Sequence, residues 1–256
     1  MSSSKTYLIT GAGRGIGKEL TRKLLLRPGV TVVAAVRDTS RAGRSLTSLP
    51  KGEGSRLILV KIDSQADTDA TVAVSELQEE HGITSLDIVI ANAGIAHSGT
   101  TVSHTSPDAF RDHINTNAIG PVTLFQAVSP LLKANQSGNP IFLPISTIFG
   151  SIGGQDYLSH VPPIMSPYGA SKIALNWIVH RIHREEEWVT AFVVHPGLVL
   201  TDMGSGILPP GADPAALGAL TVQESVAGLL KLIDSASREK HGGTFQNVDG
   251  TPLRGD

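Results

Sequence analysis

The chain has 256 residues, of which 40% are hydrophobic and 27 are glycine, so it can bury a large core and fits a single α/β domain spanning residues 1–256. A formal net charge of -2 argues against nucleic-acid and membrane-surface roles, and the absence of cysteine excludes disulfides and thiol chemistry. No apolar run could span a bilayer and no apolar signal region begins the chain, so we expect a cytoplasmic protein.

The first predicted unit is a strand, a glycine-rich loop and a helix. Residues 5–10 form the strand, residues 11–17 read Gly-Ala-Gly-Arg-Gly-Ile-Gly, and an amphipathic stretch covers residues 18–26. Glycines let the backbone approach a ligand, and the free amides at the start of a helix attract a pyrophosphate. The glycine spacing differs from the Gly-x-Gly-x-x-Gly fingerprint, but its place between strand and helix predicts nucleotide binding. The loop residues expected at the nucleotide are Gly11, Arg14, Gly15, Ile16 and Gly17.

The end of the second predicted strand, residues 29–36, indicates which nucleotide binds. In NAD-binding proteins an acidic residue at this place binds the adenosine ribose. Here Val36 is followed by Arg37, whose guanidinium suits a 2′-phosphate, and Arg14 could reach the same phosphate from the other side. Asp38 lies one residue further on and leaves NAD open as the alternative, but the sequence favours NADP.

Strand-like and helix-like segments then alternate without a linker or a repeat. Further strands are predicted at residues 56–62, 86–91, 140–145, 190–195 and 243–247. Helices are predicted at residues 67–80, from Ser106 onward, at 168–188 and at 221–235. Repeated strand–helix units predict a doubly wound, Rossmann-type parallel sheet. Ligands bind beyond the carboxyl ends of such strands, so the segments that follow the strands should meet at one edge.

The long predicted helix begins with Tyr-Gly-Ala-Ser-Lys at residues 168–172. Residues four apart share one face of a helix, so Tyr168 and Lys172 should be neighbours. A lysine charge favours the phenolate and would bring the pKa of Tyr168 toward neutral pH, which makes the phenol a usable proton donor. The spacing also occurs by chance in ordinary helices, so this interpretation depends on the other motifs.

Together these motifs resemble the short-chain dehydrogenase/reductase family, and the resemblance covers nearly the whole chain. The matching pieces lie at residues 10–17, 63, 92–94, 117, 145–147, 168–172 and 196–201. Within the family, the ending at residues 247–253 is similar to that of Sniffer-type carbonyl reductases. The stretches 26–33 and 79–84 resemble the fungal norsolorinic acid ketoreductases.

The resemblance implies NADPH-dependent reduction of a ketone to an alcohol. Tyr168 would protonate the carbonyl oxygen, and Lys172 would depress the tyrosine pKa and hold the nicotinamide ribose. Asn117 would anchor a water that relays protons to Lys172, and Asp63 would accept a hydrogen bond from the adenine amine. The remaining implied cofactor contacts are Asn92, Ala93 and Gly94 on the adenosine side, and Pro196, Gly197, Val199 and Thr201 at the carboxamide.

One position departs from the family. In the family, the catalytic residue is the second serine of an Ile-Ser-Ser run. This chain has Ile145, Ser146 and Thr147, so Thr147 takes the place of that serine. The threonine hydroxyl can donate the same hydrogen bond to a carbonyl oxygen. Because adjacent strand residues point to opposite faces, only one of the two hydroxyls can act. We favour Thr147 and keep Ser146 as the alternative.

Substrate identity should come from two variable segments, residues 148–167 and 202–220. Their apolar or ring-bearing residues include Tyr157, His160, Val161, Ile164, Met165, Met203, Ile207, Leu208, Pro209 and Pro210. Such segments are typical of lids or substrate walls and suit an aromatic or polyketide-like ketone, although a dimer contact is the alternative. His195, just before Pro196, is expected to be structural.

We therefore predict a ketoreductase of secondary metabolism that uses NADP(H) and no metal. Its partner would be a small-molecule ketone rather than nucleic acid or a membrane, and it would form a homodimer or homotetramer. Two other functions stay open: a cyclase or dehydratase that uses NADP structurally, and a non-catalytic NADP-binding sensor.

Overall fold

The structure is a computed structural model that describes residues 5–97, 100–158, 165–206, 208, 211 and 213–253. Several residues named for the two predicted substrate segments lie outside the described residues. They are His160, Val161, Ile164, Ile207, Pro209 and Pro210, together with the side chain of Tyr157.

The described strands form two sheets at the centre of the molecule. They are β1 Thr6–Thr10, β2 Thr31–Val36, β3 Arg56–Lys61, β4 Ile88–Ala91, β5 Ile141–Pro144, β6 Thr190–Ala191, β7 Val193–His195, β8 Phe245–Asn247 and β9 Pro252–Leu253. The main sheet is parallel with strand order β3-β2-β1-β4-β5-β6, and the second sheet has the order β7-β8-β9. The predicted doubly wound parallel sheet is confirmed. Its strand order reverses between β1 and β4, where sheets of this kind bind dinucleotides.

Helices cover both faces of the main sheet. They are α1 Gly15–Leu25, α2 Thr39–Thr47, α3 Asp69–Glu79, α4 Pro107–Ile114, α5 Gly120–Lys133, α6 Ser166–Glu185, α7 Asp202–Ser205, α8 Val222–Ser235 and α9 Arg238–His241. A π-helical turn, Asn115–Ile119, joins α4 to α5. Short 3-10 helices occur at Val102–His104, Ile148–Gly150 and Gln155–Leu158. Within the described residues, no helix is both long and apolar enough to cross a bilayer.

Two apolar clusters enclose the sheet, one on each face. In β1, Leu8 belongs to one cluster and Ile9 to the other, as alternation along a strand requires. The cluster with Leu8 takes its helical residues from α3, α5 and α6, and we call this side the α6 face. The other cluster packs α1 and α8 against the sheet, and we call that side the α8 face. Burial on both faces explains why the central strands are apolar throughout.

Several helices have a capping side chain at their first turn. The Ser106 hydroxyl accepts a hydrogen bond from the Ala109 backbone N–H, which confirms the predicted start of α4. Thr221 and Glu224 form a reciprocal capping box at the start of α8. These caps fix where each helix leaves the carboxyl edge of the sheet.

Parts of the fold differ from the sequence prediction, including three longer segments. The strand predicted at residues 190–195 is two strands, because β6 pairs with β5, whereas β7 pairs with β8 after Val193 donates to the Thr244 carbonyl oxygen at 3.1 Å. Helix α2 was not predicted, since Leu46 is its one buried residue and leaves no apolar period to detect. Helix α5 was also missed, although its Pro121 lies in the first turn, where no backbone N–H is needed.

Candidate active site

The loop between β1 and α1 forms a cradle at the start of the helix. Gly11 and Gly15 have φ values of 65° and 52°, which side chains rarely adopt. A Cβ on Gly17 would lie 2.4 Å from the Gly11 carbonyl oxygen, so the close approach there requires glycine. Among the residues that the structure describes, no side chain caps the first turn of α1. Its backbone amides and the positive end of the helix dipole therefore fit the pyrophosphate of a dinucleotide.

Replacing Gly17 by alanine should disrupt this cradle. The added Cβ would also lie 2.6 Å from the Asn92 side-chain nitrogen, so the loop must shift. Overpacking of this kind costs about 1–3 kcal/mol of folding free energy. We expect a lower melting temperature and weaker dinucleotide binding in calorimetric titration. Gly43→Ala is the control, since its Cβ would meet Leu59 at an ordinary 3.7 Å; wild-type binding by the Gly17 variant would contradict the cradle.

Thr10 and Asn92 fasten the loop to the end of β4. The Thr10 hydroxyl oxygen accepts hydrogen bonds from the backbone N–H groups of Asn92 and Ala93, at 3.1 and 3.0 Å. The Asn92 amide donates in return to the Thr10 carbonyl oxygen at 2.9 Å. These bonds hold β1 and β4 together at the point where the strand order reverses.

A cavity of about 640 Å³ opens at the carboxyl edge of the sheet. Its size lies within the range usual for small-molecule sites. The predicted site residues that line it are Gly11, Arg14, Gly15, Ile16, Asn92, Ala93, Gly94, Ser146, Thr147, Tyr168, Lys172, Pro196, Gly197, Val199 and Thr201. Four other predicted residues do not line it, namely Gly17, Arg37, Asp63 and Asn117.

Tyr168 and Lys172 lie near the start of α6 with buried side chains. The Lys172 ammonium donates to the Ile145 carbonyl oxygen at 2.7 Å, and its nitrogen lies 5.7 Å from the centre of the Tyr168 ring. The two side chains are therefore neighbours, and both lie at the cavity wall.

Burial controls the protonation of this pair. It raises the pKa of Tyr168 to about 12, although a hydrogen bond with Thr147 lowers that pKa in part, and it lowers the pKa of Lys172 to about 7. Lys172 was expected to bring the pKa of Tyr168 toward neutrality. That expectation is wrong for the protein without cofactor, because the pKa of Tyr168 is raised. Desolvation of the phenolate is the dominant effect on Tyr168, and burial also leaves Lys172 only partly protonated at neutral pH. The phenol keeps its proton, which is the form that can donate to a carbonyl oxygen.

The two candidate hydroxyls have different partners. The Ser146 hydroxyl donates to the Asn176 side-chain oxygen on α6 at 2.6 Å, which ties the end of β5 to that helix. The Thr147 hydroxyl oxygen accepts from the Phe149 backbone N–H at 3.4 Å, and the hydroxyl also hydrogen-bonds with the Tyr168 phenol, which lowers the pKa of that phenol in part. Thr147 thus stands beside the proton donor, whereas Ser146 is engaged with Asn176.

Asn117 is buried in the π-helical turn between α4 and α5. Its oxygen accepts from the Ile95 backbone N–H at 2.9 Å, and its nitrogen donates to the Ile95 carbonyl oxygen at 2.8 Å and to the Ser171 hydroxyl at 3.0 Å. Since Ser171 precedes Lys172, this amide positions the catalytic part of α6 and the loop after β4. A water anchored at Asn117 stays a prediction.

Asp38 and Arg37 differ in what they are free to bind. One Asp38 carboxylate oxygen accepts from the Arg41 backbone N–H at 3.0 Å and from the Ser40 hydroxyl at 2.6 Å, so Asp38 caps α2. The Arg37 side chain is exposed and has no hydrogen-bond or ion-pair partner in the described part of the chain. Asp38, the residue that kept NAD as an alternative cofactor, therefore serves as a helix cap.

Asp63 lies in the turn after β3. One of its carboxylate oxygens accepts from the Gln65 backbone N–H at 3.1 Å, while its own N–H donates to Asp69 at 2.9 Å. Both bonds are those of a turn residue at a strand end. Contact with an adenine amine stays a prediction.

Residues 196–201 connect β7 to α7 along the cavity. Gly197 has a φ of 86°, and the Thr201 hydroxyl oxygen accepts from the Gly204 N–H at 3.1 Å, which caps α7. The Pro196 carbonyl oxygen accepts from the buried Ser225 hydroxyl on α8 at 2.7 Å. These bonds fix the segment whose backbone is expected at the nicotinamide carboxamide.

Arg14 forms an ion pair with Asp202 at 3.3 Å across the cavity mouth. Both side chains are largely exposed, at 71% and 85%, so the pair contributes at most about 1 kcal/mol. An arginine held this weakly can exchange its partner for a phosphate.

The remaining walls are mostly apolar. The lining includes Phe149, Leu158, Leu208 and Leu217, and Met203 comes from the second predicted substrate segment. Met165, from the first, instead forms a backbone bridge with Thr100. Among the described lining residues the cations are Arg14 and Lys172, so no further basic side chain is available to bind a substrate carboxylate.

The cavity wall also includes His195. Its Nδ1 is buried and has no hydrogen-bond partner among the described residues, and the expected structural role of the imidazole stays a prediction. The residue lies at the carboxyl end of β7, directly before the segment expected at the carboxamide.

Comparison with known proteins identifies the family. Residues 5–209 match the family model described as short chain dehydrogenase. The chain belongs to this family. It is therefore an oxidoreductase that uses a nicotinamide cofactor and acts on small molecules, as the sequence motifs predicted, and the glycine cradle fits that cofactor.

Individual relatives are similar over almost their full length. The chain is 40% identical over 254 residues to the norsolorinic acid ketoreductase of Dothistroma septosporum, covering 98% of this chain and 93% of that protein. The NADPH-bound carbonyl reductase from chicken fatty liver has a TM-score of 0.84 and 29% identity, and covers 98% of this chain and 99% of its own. The carbonyl reductase Sniffer of D. melanogaster has a TM-score of 0.82 and 26% identity, with the same coverage.

Proposed function

We propose that this short-chain dehydrogenase reduces an aromatic or polyketide-like ketone to a secondary alcohol with NADPH. The observation that carries the proposal is the buried Tyr168 phenol, protonated at neutral pH and hydrogen-bonded to Thr147 at the wall of a largely apolar cavity. Two hydroxyl groups that meet at one point suit a carbonyl oxygen that accepts both hydrogen bonds.

Each polar side chain at this point has a defined part. Tyr168 donates its proton to the carbonyl oxygen, and Thr147 hydrogen-bonds to the same oxygen as negative charge develops on it. Lys172 stabilises the resulting phenolate by its charge. NADPH, when bound, supplies the hydride that the carbonyl carbon takes up. Ser146 and Asn117 act indirectly, since they hold α6 through Asn176 and Ser171.

The substrate class follows from the walls of the cavity. Apolar side chains such as Phe149 and Leu158 favour a flat or greasy ketone over a sugar or an acid. The 40% identity to a norsolorinic acid ketoreductase supports the same class.

Loss of NADPH absorbance with a panel of aromatic and aliphatic ketones tests the proposal. Oxidation of NADPH with formation of the alcohol is expected for the aromatic members. Product formation without NADPH oxidation would favour a cyclase or dehydratase, and NADPH binding without any turnover would favour a sensor. The predicted homodimer or homotetramer is measured on the same sample by sedimentation velocity.

Arg37→Asp tests the choice of NADPH. The exposed guanidinium follows β2, where the ribose carboxylate of an NAD-binding protein would stand, and Asp38 is already used as a helix cap. Loss of a charge-assisted contact with the 2′-phosphate should weaken NADPH binding by roughly 1.5–3 kcal/mol, or about tenfold to a hundredfold. NADH binding should be unchanged or improved. Calorimetric titration with both cofactors measures the difference.

Arg44→Asp is the matched control. It makes the same charge change on the exposed side of α2, further along the helix. If both variants lose NADPH affinity equally, the effect is one of net charge and Arg37 does not contact the 2′-phosphate.

A further inference from the structure

Asn176 continues the stripe of α6 that carries Tyr168 and Lys172. Residues four apart in a helix share one face, so the three side chains follow one another along α6. Tyr168 is hydrogen-bonded to Thr147, and the Lys172 ammonium donates to the Ile145 carbonyl oxygen at 2.7 Å. Asn176 itself is not among the described residues that line the cavity. Any role of its amide in the reaction must therefore act through its neighbours.

The amide of Asn176 binds the chain on both sides of Thr147. Its oxygen accepts from the Ser146 hydroxyl at 2.6 Å, and its nitrogen donates to the Gly150 carbonyl oxygen at 2.9 Å. A Cβ on Gly150 would lie 2.9 Å from a side-chain atom of α6, so the chain packs directly on the helix there. Residues 146–150, which we call the Thr147 segment, are thus anchored to the catalytic helix at their first and last members.

The sheet stops holding the backbone at Ser146. The Ser146 N–H donates to the Val194 carbonyl oxygen at 2.7 Å. In the part of the chain that the structure describes, this is the last backbone hydrogen bond between the Thr147 segment and a strand. Beyond it, the position of the segment depends on its contacts with α6.

Between its two anchors the Thr147 segment has a defined shape. Thr147 is extended, with φ -161° and ψ 156°, and a 3-10 turn follows at Ile148–Gly150. The Gly150 backbone N–H donates to the Thr147 carbonyl oxygen at 2.8 Å and closes that turn. Because a closed turn moves as one piece, the places of its anchors on α6 decide where the Thr147 hydroxyl lies relative to the Tyr168 phenol.

We infer that Asn176 is a positioning residue for ketone reduction, which holds the Thr147 hydroxyl where one carbonyl oxygen can accept from it and from Tyr168. The inference rests on the proposed function for the reaction itself. Since the amide bonds to Ser146 and Gly150 on either side of Thr147, its effect should pass through that one hydroxyl.

Asn176→Leu removes both hydrogen bonds at a similar side-chain size. We expect kcat to fall about tenfold to a hundredfold, because a small misplacement of a catalytic group has effects of this order. NADPH affinity should be nearly unchanged. Ser146→Ala breaks one of the two anchors and should have a smaller effect on kcat. Steady-state kinetics at saturating NADPH, with the best ketone of the panel, measures both losses.

Asn139→Leu is the matched control. Asn139 lies just before β5, at the end of that strand away from the cavity, and is half-buried like Asn176. Its amide makes the same two kinds of hydrogen bond: the oxygen accepts from the Thr190 hydroxyl at 2.8 Å, and the nitrogen donates to the Ala236 carbonyl oxygen at 2.8 Å. Both leucine variants should lower the melting temperature, but Asn139→Leu should keep its kcat.

A double-mutant cycle with Thr147→Val separates positioning from general damage to the fold. Asn176→Leu should cost little in a protein that already lacks the Thr147 hydroxyl, so the double variant should resemble Thr147→Val. An equal loss of kcat with and without that hydroxyl overturns the inference, as does a wild-type kcat in Asn176→Leu or an equal loss in Asn139→Leu. If Asn176→Leu does not fold, Asn176→Ser takes its place in the cycle, because its shorter side chain cannot bridge both partners.

A binding measurement keeps the two proposals distinguishable. Benzamide carries a carbonyl that is not reduced, and calorimetry on the NADP-loaded protein gives its affinity for the four members of the cycle. If no ketone is turned over but Asn176→Leu weakens benzamide binding only where the Thr147 hydroxyl is present, the proposed reduction fails and the positioning role stands. If ketones are reduced and the effect of Asn176→Leu does not depend on that hydroxyl in kinetics or binding, the reduction stands and the positioning role fails.

Discussion

Replacing Tyr168 by phenylalanine should abolish ketone reduction and lower kcat by about a thousandfold or more, equivalent to at least about 4 kcal/mol of transition-state stabilisation. The phenol is buried at the cavity wall and keeps its proton at neutral pH. Phenylalanine has nearly the same shape but no proton to give, so the alkoxide formed by hydride uptake is left unprotonated. Steady-state kinetics with the best ketone of the panel measures the loss.

Two measurements distinguish loss of chemistry from loss of structure. NADPH affinity should be nearly unchanged, since the variant keeps the ring and the glycine cradle. Tyr7→Phe removes a phenol oxygen from another buried tyrosine, on the α8 face of β1, and should keep its kcat. Near-normal turnover by the Tyr168 variant would mean that another group protonates the carbonyl oxygen.

The sequence alone predicted the parts of the site that depend on local pattern. The loop at residues 11–17 follows a strand and precedes a helix, so its cradle could be inferred from glycine positions and from the physics of helix ends. Tyr168 and Lys172 could be paired because helical spacing fixes which side chains share a face. The parallel sheet could be predicted because strand-like and helix-like segments alternate along the chain.

Features that depend on tertiary packing could not be predicted. The pKa of Tyr168 depends on how deeply the phenol is buried in the fold. The role of Asp38 as the N-cap of α2, which argues against a role as ribose ligand, is also visible only in the structure. The burial of the His195 Nδ1, which has no partner among the described residues, likewise depends on the elements packed around it. Sequence patterns give neighbours within an element, whereas partners between elements come from the fold.

Thr147→Val should lower kcat by roughly a hundredfold to a thousandfold, the usual effect of losing one oxyanion-type hydrogen bond. Valine keeps the branched shape of threonine but not the hydroxyl that meets the Tyr168 phenol. Thr147→Ser keeps the donor and should remain active. The values of kcat for these two variants, measured at saturating NADPH, test the assignment.

Ser146→Ala decides between the two hydroxyls. Ser146 donates to Asn176, and Asn176 donates to the Gly150 carbonyl oxygen at 2.9 Å, so this hydroxyl supports the packing of α6 rather than the carbonyl oxygen. Its removal should therefore lower the melting temperature more than it lowers kcat. A Ser146→Ala variant that folds but does not turn over, beside an active Thr147→Val, would reverse the assignment. Full activity in both variants would leave Tyr168 as the only hydroxyl on the carbonyl oxygen, because no other described hydroxyl of the cavity hydrogen-bonds with that phenol.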